Sequence, residues 1–168
     1  IALIQEGMHD QFMPNIFKSL RGWAWQFITS FIYENNNETG VAIGAMAFPL
    51  TVEFQRSPAR EPIVATPKMI AINTYRLNNL NEKLLVLNIH AINFVLNSDF
   101  QDQINQVVPR IQSHEGPVIF AGDFNTWNNG RQSFLDRTLA RLGLKKVRFH
   151  NDRRGLKLDH IYYSKLNS

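Results

Sequence analysis

Residues 118–125 read Val-Ile-Phe-Ala-Gly-Asp-Phe-Asn and join a short apolar run to a polar cluster. The apolar run Val118 to Ala121 predicts a buried strand. Asp123 and Asn125 follow at its carboxyl end, where sheet proteins collect their active-site groups. The same residues are also compatible with a turn, because Asp and Asn both favour turns. The stretch therefore predicts a strand that ends in either a functional site or a turn.

Glu6 and His90 occupy the same kind of position in two other predicted strands. Glu6 follows the apolar run Ile1 to Ile4, and His90 follows the run Leu84 to Ile89. Taken singly, Glu6 is also explained as a solvated strand end or a helix-capping acid, and His90 as a hydrogen-bonded core or edge histidine. Asn93, three residues after His90, adds an amide to the second of these strand ends.

Asp159 and His160 form the fourth polar group, between Leu158 and Ile161. Neighbouring residues on a strand point to opposite faces, so one of the two is buried if both faces are covered. A buried ionised Asp needs a partner. The pair is therefore explained better by a function than by the fold alone.

The rest of the pattern predicts an α/β (α+β) fold in which mixed sheets pack against helices. Residues 49–67 contain four prolines and predict an irregular stretch. Predicted strands occupy 23–33, 41–48, 68–75, 83–89, 144–149 and 161–163, and helical stripes occupy 12–20, 100–111 and 134–142.

The 168 residues suit one domain, which we expect to cover residues 1–168. Cysteine is absent, which excludes disulfides, thiolate metal sites and cysteine nucleophiles.

The sequence also lacks the G-x-S-x-G elbow, the Walker loop, G-x-G-x-x-G and H-E-x-x-H. No apolar run approaches the roughly 20 residues of a membrane helix. No signal peptide is visible, and we expect a cytoplasmic location.

The net charge of +4 is unevenly distributed. The segment Arg137 to Lys157 contains eight basic residues and one acidic residue, which gives it a net charge of +7. A cluster of one sign suits an anionic partner such as a phosphate backbone, although a solvated basic face explains the charge equally well.

Taken together, the four polar groups resemble the signature of the endonuclease/exonuclease/phosphatase family, which includes deoxyribonuclease I and the exonuclease III class. Gly122-Asp123-Phe124-Asn125 and Leu158-Asp159-His160 carry the resemblance, and the latter stands where the family has S-D-H. Ile4-Gln5-Glu6 resembles the family's L-Q-E strand end, and Asn88-Ile89-His90 resembles its N-x-H strand end. Residues 90–94 and 124–127 are most similar to an uncharacterised bacterial branch.

The resemblance implies a four-layer sandwich of two packed sheets flanked by helices, and a phosphoester hydrolase that uses Mg²⁺ or Mn²⁺. Glu6 and Asp159 would be metal ligands, which agrees with the preference of Mg²⁺ for hard oxygen donors. Asp159 would also orient His160 as general base, and Asp123 would position the attacking water. Asn125 and His90 would donate hydrogen bonds to phosphate oxygens. The residues expected to bind substrate are Arg148, Arg153, Arg154 and Asn93.

The sequence departs from the family pattern at its start. Family members carry a strand with an Asn ahead of the L-Q-E strand, and here nothing precedes Ile1. We therefore expect an N-terminally truncated domain whose metal site lacks one group.

Three functions stay open on this evidence. The leading expectation is a Mg²⁺-dependent phosphodiesterase that acts on nucleic acid, because the basic segment precedes Asp159 and His160. The alternatives are a phosphatase or lipid phosphodiesterase of the same fold, and a non-catalytic phosphate-binding module. An exposed aromatic rim near the site would favour the second of these functions. Trp127, Phe48 and Phe54 are the candidates for such a rim, but we expect them in the core.

Overall fold

The computed structural model describes residues 1–9, 20–62, 65–77 and 81–164, which form two β-sheets. The smaller sheet is antiparallel, with the order β1-β3-β2. The larger sheet has the order β4-β5-β6-β7-β9-β8, in which only β6 and β7 are parallel. The strands are β1 (Ala2–His9), β2 (Ala24–Ile32), β3 (Glu38–Ala45), β4 (Thr51–Arg56), β5 (Met69–Arg76), β6 (Lys83–His90), β7 (Val118–Asp123), β8 (Lys145–Lys146) and β9 (Asp159–Tyr163).

Three helices cover the outer face of the larger sheet within the described part of the chain. They are α1 (Asn97–Asn105), α2 (Val108–Gln112) and α3 (Asn129–Arg141). The single helix expected over 100–111 is divided in two, because Pro109 lacks an N–H and is tolerated only in the first turn of a new helix. In the described ranges, no helix has both the length and the apolar character needed to cross a membrane.

The apolar residues of β6 are continuous because both faces of this strand are covered. Leu85, Leu87 and Ile89 face the helices, whereas Val86 packs between the two sheets. Asn88, on the same face as Val86, donates from its Nδ2 to Ile4 O (2.8 Å) and Ala42 O (2.9 Å). This amide therefore joins β6 to both β1 and β3 and fixes the smaller sheet against the larger one.

The prediction of two packed sheets with helices is confirmed, and, besides the divided helix, two local predictions are wrong. Residues 49–67 are not irregular throughout, because Thr51–Arg56 form β4 at the edge of the larger sheet, where flanking prolines interrupt no strand pairing. The strand expected over 144–149 is reduced to Lys145–Lys146. The helix expected over 12–20 lies almost wholly outside the described residues.

Candidate active site

His90, Asp123 and Asp159 lie side by side on three neighbouring strands. His90 is the register partner of Asp123 in the parallel pair β6–β7, and Asp123 is the partner of Asp159 in the antiparallel pair β7–β9. Glu6 approaches from β1, with its Oε1 3.6 Å from His90 Nε2, and the same nitrogen lies 4.0 Å from Asp123 Oδ2. These four predicted site residues therefore meet at one edge of the sandwich.

Glu6 sits at an irregularity in β1, where the pairing register with β3 shifts between Ile4 and Gly7. Its backbone has a φ of 53°, in the left-handed region that non-glycine residues rarely adopt. The side chain is 73% exposed. A bulge of this kind re-aims a side chain at the edge of a sheet, and here it presents a hydrated carboxylate beside His90.

His90 is a neutral imidazole. Burial lowers its pKa to about 3, and the positive charge of Lys68 acts in the same direction. Its contacts with the Glu6 and Asp123 carboxylates are therefore not ion pairs at neutral pH. A neutral imidazole retains one N–H, which can donate to an oxygen that enters the site.

The Asp123 carboxyl has a raised pKa. Burial is the largest cause, and the charges of Asp159 and Glu6 add to it. The backbone N–H of Asn125, which donates to Asp123 Oδ1 at 2.8 Å, opposes the shift, as does the charge of Lys68. The negative charges of Glu6 and Asp159 therefore disfavour the ionised form of Asp123, and an added cation would offset them.

A buried ion pair beside the site was not anticipated from the sequence. Lys68 Nζ lies 3.5 Å from Glu61 Oε2, and both side chains are almost fully buried. Glu61 Oε1 also accepts the backbone N–H of Asn93 at 3.0 Å. Asn93, expected to bind substrate, uses its own Oδ1 to accept the N–H of Phe94. The Pro-rich segment that contains Glu61 offered no pattern from which this pair could be found.

Asn125 is brought to the site but is held by structural hydrogen bonds. Its φ is 48°, and its Nδ2 donates to Ala91 O at 2.7 Å. Arg131, wholly buried on α3, donates from Nη1 to Ile92 O and Asn125 O and from Nη2 to Val95 O. This guanidinium therefore ties the segment after β6 to the segment after β7, a role that its place in a helical pattern did not suggest.

His160 is buried, and Asp159 on the adjacent position of β9 is exposed, as strand alternation predicts. The expected contact between them is absent from the described contacts, because the two side chains leave opposite faces of the strand. His160 Nε2 is instead hydrogen-bonded to Thr126 Oγ1 at 2.7 Å. Burial lowers the pKa of His160 to about 4, with Lys146 the second cause. The imidazole is neutral at physiological pH.

The positive charge of the basic segment, residues 137–157, is partly neutralised by Asp152, the acidic residue within it. Asp152 accepts hydrogen bonds from Arg154 and lies 3.7 Å from Lys157 Nζ. Arg154 also donates to Asp159 O and lines a cavity of about 430 Å³ with Asp159 and His160. Of the three predicted substrate-binding arginines, Arg154 is therefore placed at the site. Arg148 and Arg153 are exposed, and no described contact links them to it.

The donor set is compatible with Mg²⁺ held by few protein ligands. Within the described residues, no three Asp, Glu or His side chains are close enough together to enclose a metal ion. Mg²⁺ commonly keeps several waters and uses one or two carboxylates together with a substrate phosphate. The exposed carboxylate of Glu6, next to the mutually repelling Asp123 and Asp159, fits that mode.

The three aromatic residues expected in the core are exposed instead. Trp127, Phe54 and Phe48 are exposed by 50%, 55% and 84% of their surfaces. Trp127 follows Asn125 and Thr126 directly, so it stands at the rim of the candidate site. Phe54 lies on the edge strand β4, and Phe48 lies just before that strand. The core prediction was wrong because these residues occupy a loop and a sheet edge, which other elements do not cover.

The family model of the endonuclease/exonuclease/phosphatase family matches residues 19–167. The chain belongs to this family. UPF0294 proteins are among its relatives: one from Vibrio parahaemolyticus is 37% identical over 131 residues, 74% of this chain and 46% of the relative. Another, from Klebsiella pneumoniae, is 40% identical over 113 residues, 64% of this chain and 42% of the relative. The chain spans less than half of the length of these curated relatives.

Solved structures of the same family share the fold at low sequence identity. ANGEL2, described as a 2′,3′-cyclic phosphatase, has a TM-score of 0.70 at 13% identity, over 96% of this chain and 69% of its own. A mannosyl-6-phosphatase from Bacteroides thetaiotaomicron has a TM-score of 0.65 at 12% identity, over 89% and 66%. The human Nocturnin catalytic domain, with bound sulfate, has a TM-score of 0.63 at 17% identity, over 93% and 65%. Members of this family are phosphoesterases.

Proposed function

We propose that this protein is a divalent-metal-dependent phosphoester hydrolase that cleaves phosphodiester bonds in nucleic acid. The observation that supports the proposal most directly is the meeting of Glu6, His90, Asp123 and Asp159 at one edge of the two sheets. The negative charges that Glu6 and Asp159 exert on Asp123 favour a bound cation there.

Glu6 and Asp159 would hold Mg²⁺ or Mn²⁺. When bound, such an ion neutralises phosphate oxygens and supports the leaving oxygen. The neutral His90 would donate its N–H to a phosphate oxygen, and Asn125 would offer the amide hydrogen that Ala91 O does not take. Both side chains are buried, and that of Asn125 is also held by its hydrogen bond to Ala91 O.

His160 would accept the proton of the attacking water, which Asp123 would position. The His160 imidazole is deprotonated at neutral pH, as a general base must be, and its lowered pKa makes it a weaker base than a free imidazole. Thr126, rather than Asp159, would fix the orientation of the ring through its hydrogen bond to Nε2. Arg154 would meet the substrate backbone, because it lines the same cavity as His160.

The test is cleavage of a supercoiled plasmid and of a single-stranded oligonucleotide in Mg²⁺ or Mn²⁺, with EDTA as the metal-free control. We expect His160→Ala to lower the cleavage rate by roughly 10²- to 10⁴-fold, the usual contribution of a general base. His114→Ala is the matched control, because this histidine is half-buried beside Lys83, at the opposite end of β6 from His90. Folded wild-type protein that cleaves neither substrate would overturn the proposal.

A phosphatase or lipid phosphodiesterase is the second candidate, and the exposure of Trp127 at the rim favours it. The active-site groups would be the same, but the substrate would be a small or lipid phosphate. Hydrolysis of p-nitrophenyl phosphate or sphingomyelin without any cleavage of nucleic acid would support this candidate over the nuclease.

A further inference from the structure

A groove of about 620 Å³ lies between the two segments that carry the candidate active site. Its walls come from the segment after β4, from the segment after β6 with the start of α1, and from Trp127 in the segment after β7. The residues that line it include Arg60, Pro62, Phe94, Leu96, Asp99 and Trp127. None of these residues takes part in the proposed chemistry.

Trp127 is fixed in position although half of its surface is exposed. The guanidinium carbon of Arg131 lies 5.2 Å from the centroid of the indole ring. Arg131 itself is immobilised by the carbonyl oxygens of Ile92, Asn125 and Val95. The exposed indole is therefore a preorganised flat surface, and a group that stacks on it pays little ordering entropy.

Phe94 has a strained backbone conformation and is exposed to solvent. Its φ is 54°, a region that aromatic residues rarely adopt, and its side chain is 70% exposed. Two hydrogen bonds maintain this conformation. The N–H of Phe94 donates to Asn93 Oδ1, and the N–H of Asn93 donates to Glu61 Oε1. Backbone strain that keeps an aromatic ring in solvent, next to a candidate site, indicates a ring used for binding.

We propose that this groove binds an unpaired nucleobase of single-stranded nucleic acid, stacked on Trp127 and Phe94 beside the phosphate at the active site. The inference rests on the proposed nuclease function and specifies its substrate. Trp127 is two residues from Asn125, and Phe94 is four residues from His90. We expect a nucleoside attached to the bound phosphate to reach both rings, because both line one groove and each is at most four residues along the chain from a residue proposed to contact the phosphate. Aromatic rings that stack single-stranded bases are a common means of binding them.

The charged rim of the groove favours a base over an acyl chain. Arg60 and Asp99 stand beside the two aromatic rings, and Leu96 is 74% exposed. A base offers flat faces for the rings and polar edges for the charged groups. An acyl chain would desolvate Arg60 and Asp99 without giving them hydrogen-bond partners, which is costly.

The experiment compares two fluorescein-labelled hexamers of equal charge, hexathymidylate and its counterpart with abasic tetrahydrofuran units, by fluorescence anisotropy in EDTA. We expect the protein to bind hexathymidylate about tenfold more tightly, because one stacked base contributes that order of affinity. Trp127→Ala should abolish the preference, and Trp127→Phe should retain most of it. Phe48→Ala is the matched control, because Phe48 is more exposed than Phe94 and lies outside the groove.

Because binding is measured without metal, its outcome is independent of cleavage. Base-dependent binding without any cleavage would support the groove and overturn the proposed nuclease. Equal binding of the two hexamers, or binding of neither, would overturn the groove, even in a protein that cleaves DNA. Trp127-dependent binding to phosphatidylcholine vesicles in place of hexathymidylate would also overturn it and would point to a lipid substrate. Circular dichroism checks that each variant is folded.

Discussion

The two sides of the candidate site are constructed differently. On the side of the six-stranded sheet, His90, Asn125 and His160 are buried, and specific hydrogen bonds hold the side chains of Asn125 and His160. On the side of the three-stranded sheet, Glu6 is 73% exposed on a strand irregularity. The first arrangement suits donors that must be preorganised, and the second suits a ligand that exchanges water for a metal ion.

This difference predicts where substitutions will be costly for the fold. On the buried side, Asn125 and His160, which we propose act in catalysis, also make structural hydrogen bonds, so changes there should reduce stability. On the Glu6 side, the carboxylate contributes little to the fold, so its loss should affect metal binding alone. Four predictions test the comparison, in order of decreasing effect on stability.

Gly122→Ala should be the most destabilising change. Gly122 has a φ of 140°, and a Cβ at this position would lie 2.0 Å from Ile89 O and 2.9 Å from Ile89 N. The clash involves the backbone of the parallel strand that carries His90, so no side-chain rotation can relieve it. We expect a loss of about 4 kcal/mol in the free energy of unfolding, measured with urea. Gly155→Ala is the control, because no atom lies within 4 Å of its added Cβ.

Arg131→Met should cost about 3 kcal/mol, because it leaves the buried carbonyls of Ile92, Asn125 and Val95 without their donor. Methionine fills much of the volume, so the loss reports on hydrogen bonds more than on packing. Arg137→Met, on the exposed side of the same helix, should change the unfolding free energy by no more than about 0.5 kcal/mol. Equal effects of the two substitutions would contradict the structural role of Arg131.

Acidification should destabilise the buried side. In the unfolded chain His160 titrates near its ordinary pKa, and in the folded protein its pKa falls to about 4. The unfolded state therefore binds more protons between these two values, and stability is lost as the pH falls from about 6.5 towards 4. His90, with its pKa lowered to about 3, acts in the same direction.

Urea unfolding in EDTA at several pH values measures this effect, which we expect to reach roughly 2 kcal/mol for His160. His160→Asn should remove that part of the pH dependence. His114→Asn should leave it in place, because this histidine is not among the residues of the buried side. A pH dependence that His160→Asn leaves unchanged would exclude a neutral, buried imidazole at this position. The comparison with the variant is needed because the raised pKa of Asp123 opposes the effect of the two histidines.

The strand ends could be predicted from the sequence because they depend on local pattern. Apolar runs predict strands, and the polar residue that follows a run marked Glu6, His90 and Asp123 as candidates. Asp159 was marked because it lies between Leu158 and Ile161, at the edge of a predicted strand. Strand alternation also predicts that Asp159 and His160 diverge, and that rule should have outweighed the orienting role expected from the resemblance.

The supporting contacts could not be predicted because they join residues that are distant in the chain. Arg131 contacts carbonyls 36 and 39 residues away, at Val95 and Ile92, and Thr126 contacts His160 from 34 residues away. No local periodicity encodes such pairs. The exposure of Trp127 could not be predicted for a related reason. In the sequence, an aromatic residue that follows a buried strand looks like a core residue, and only the packing around it shows that it is exposed.

Glu6→Gln should have the smallest effect on the fold and a clear effect on metal binding. The exposed side chain makes its nearest described contact at 3.6 Å, so we expect the unfolding free energy in EDTA to change by no more than about 0.5 kcal/mol.

A ligand that binds only the folded state of a protein raises the melting temperature of that protein. Mg²⁺ or Mn²⁺ should therefore raise Tm in the wild type and in Glu34→Gln, an exposed control, but much less in Glu6→Gln. If metal raised Tm as much in Glu6→Gln as in the wild type, the metal ligands would be Asp123 and Asp159 and not Glu6. A clearly lower unfolding free energy of Glu6→Gln in EDTA would show that Glu6 stabilises the fold, as the residues of the buried side do.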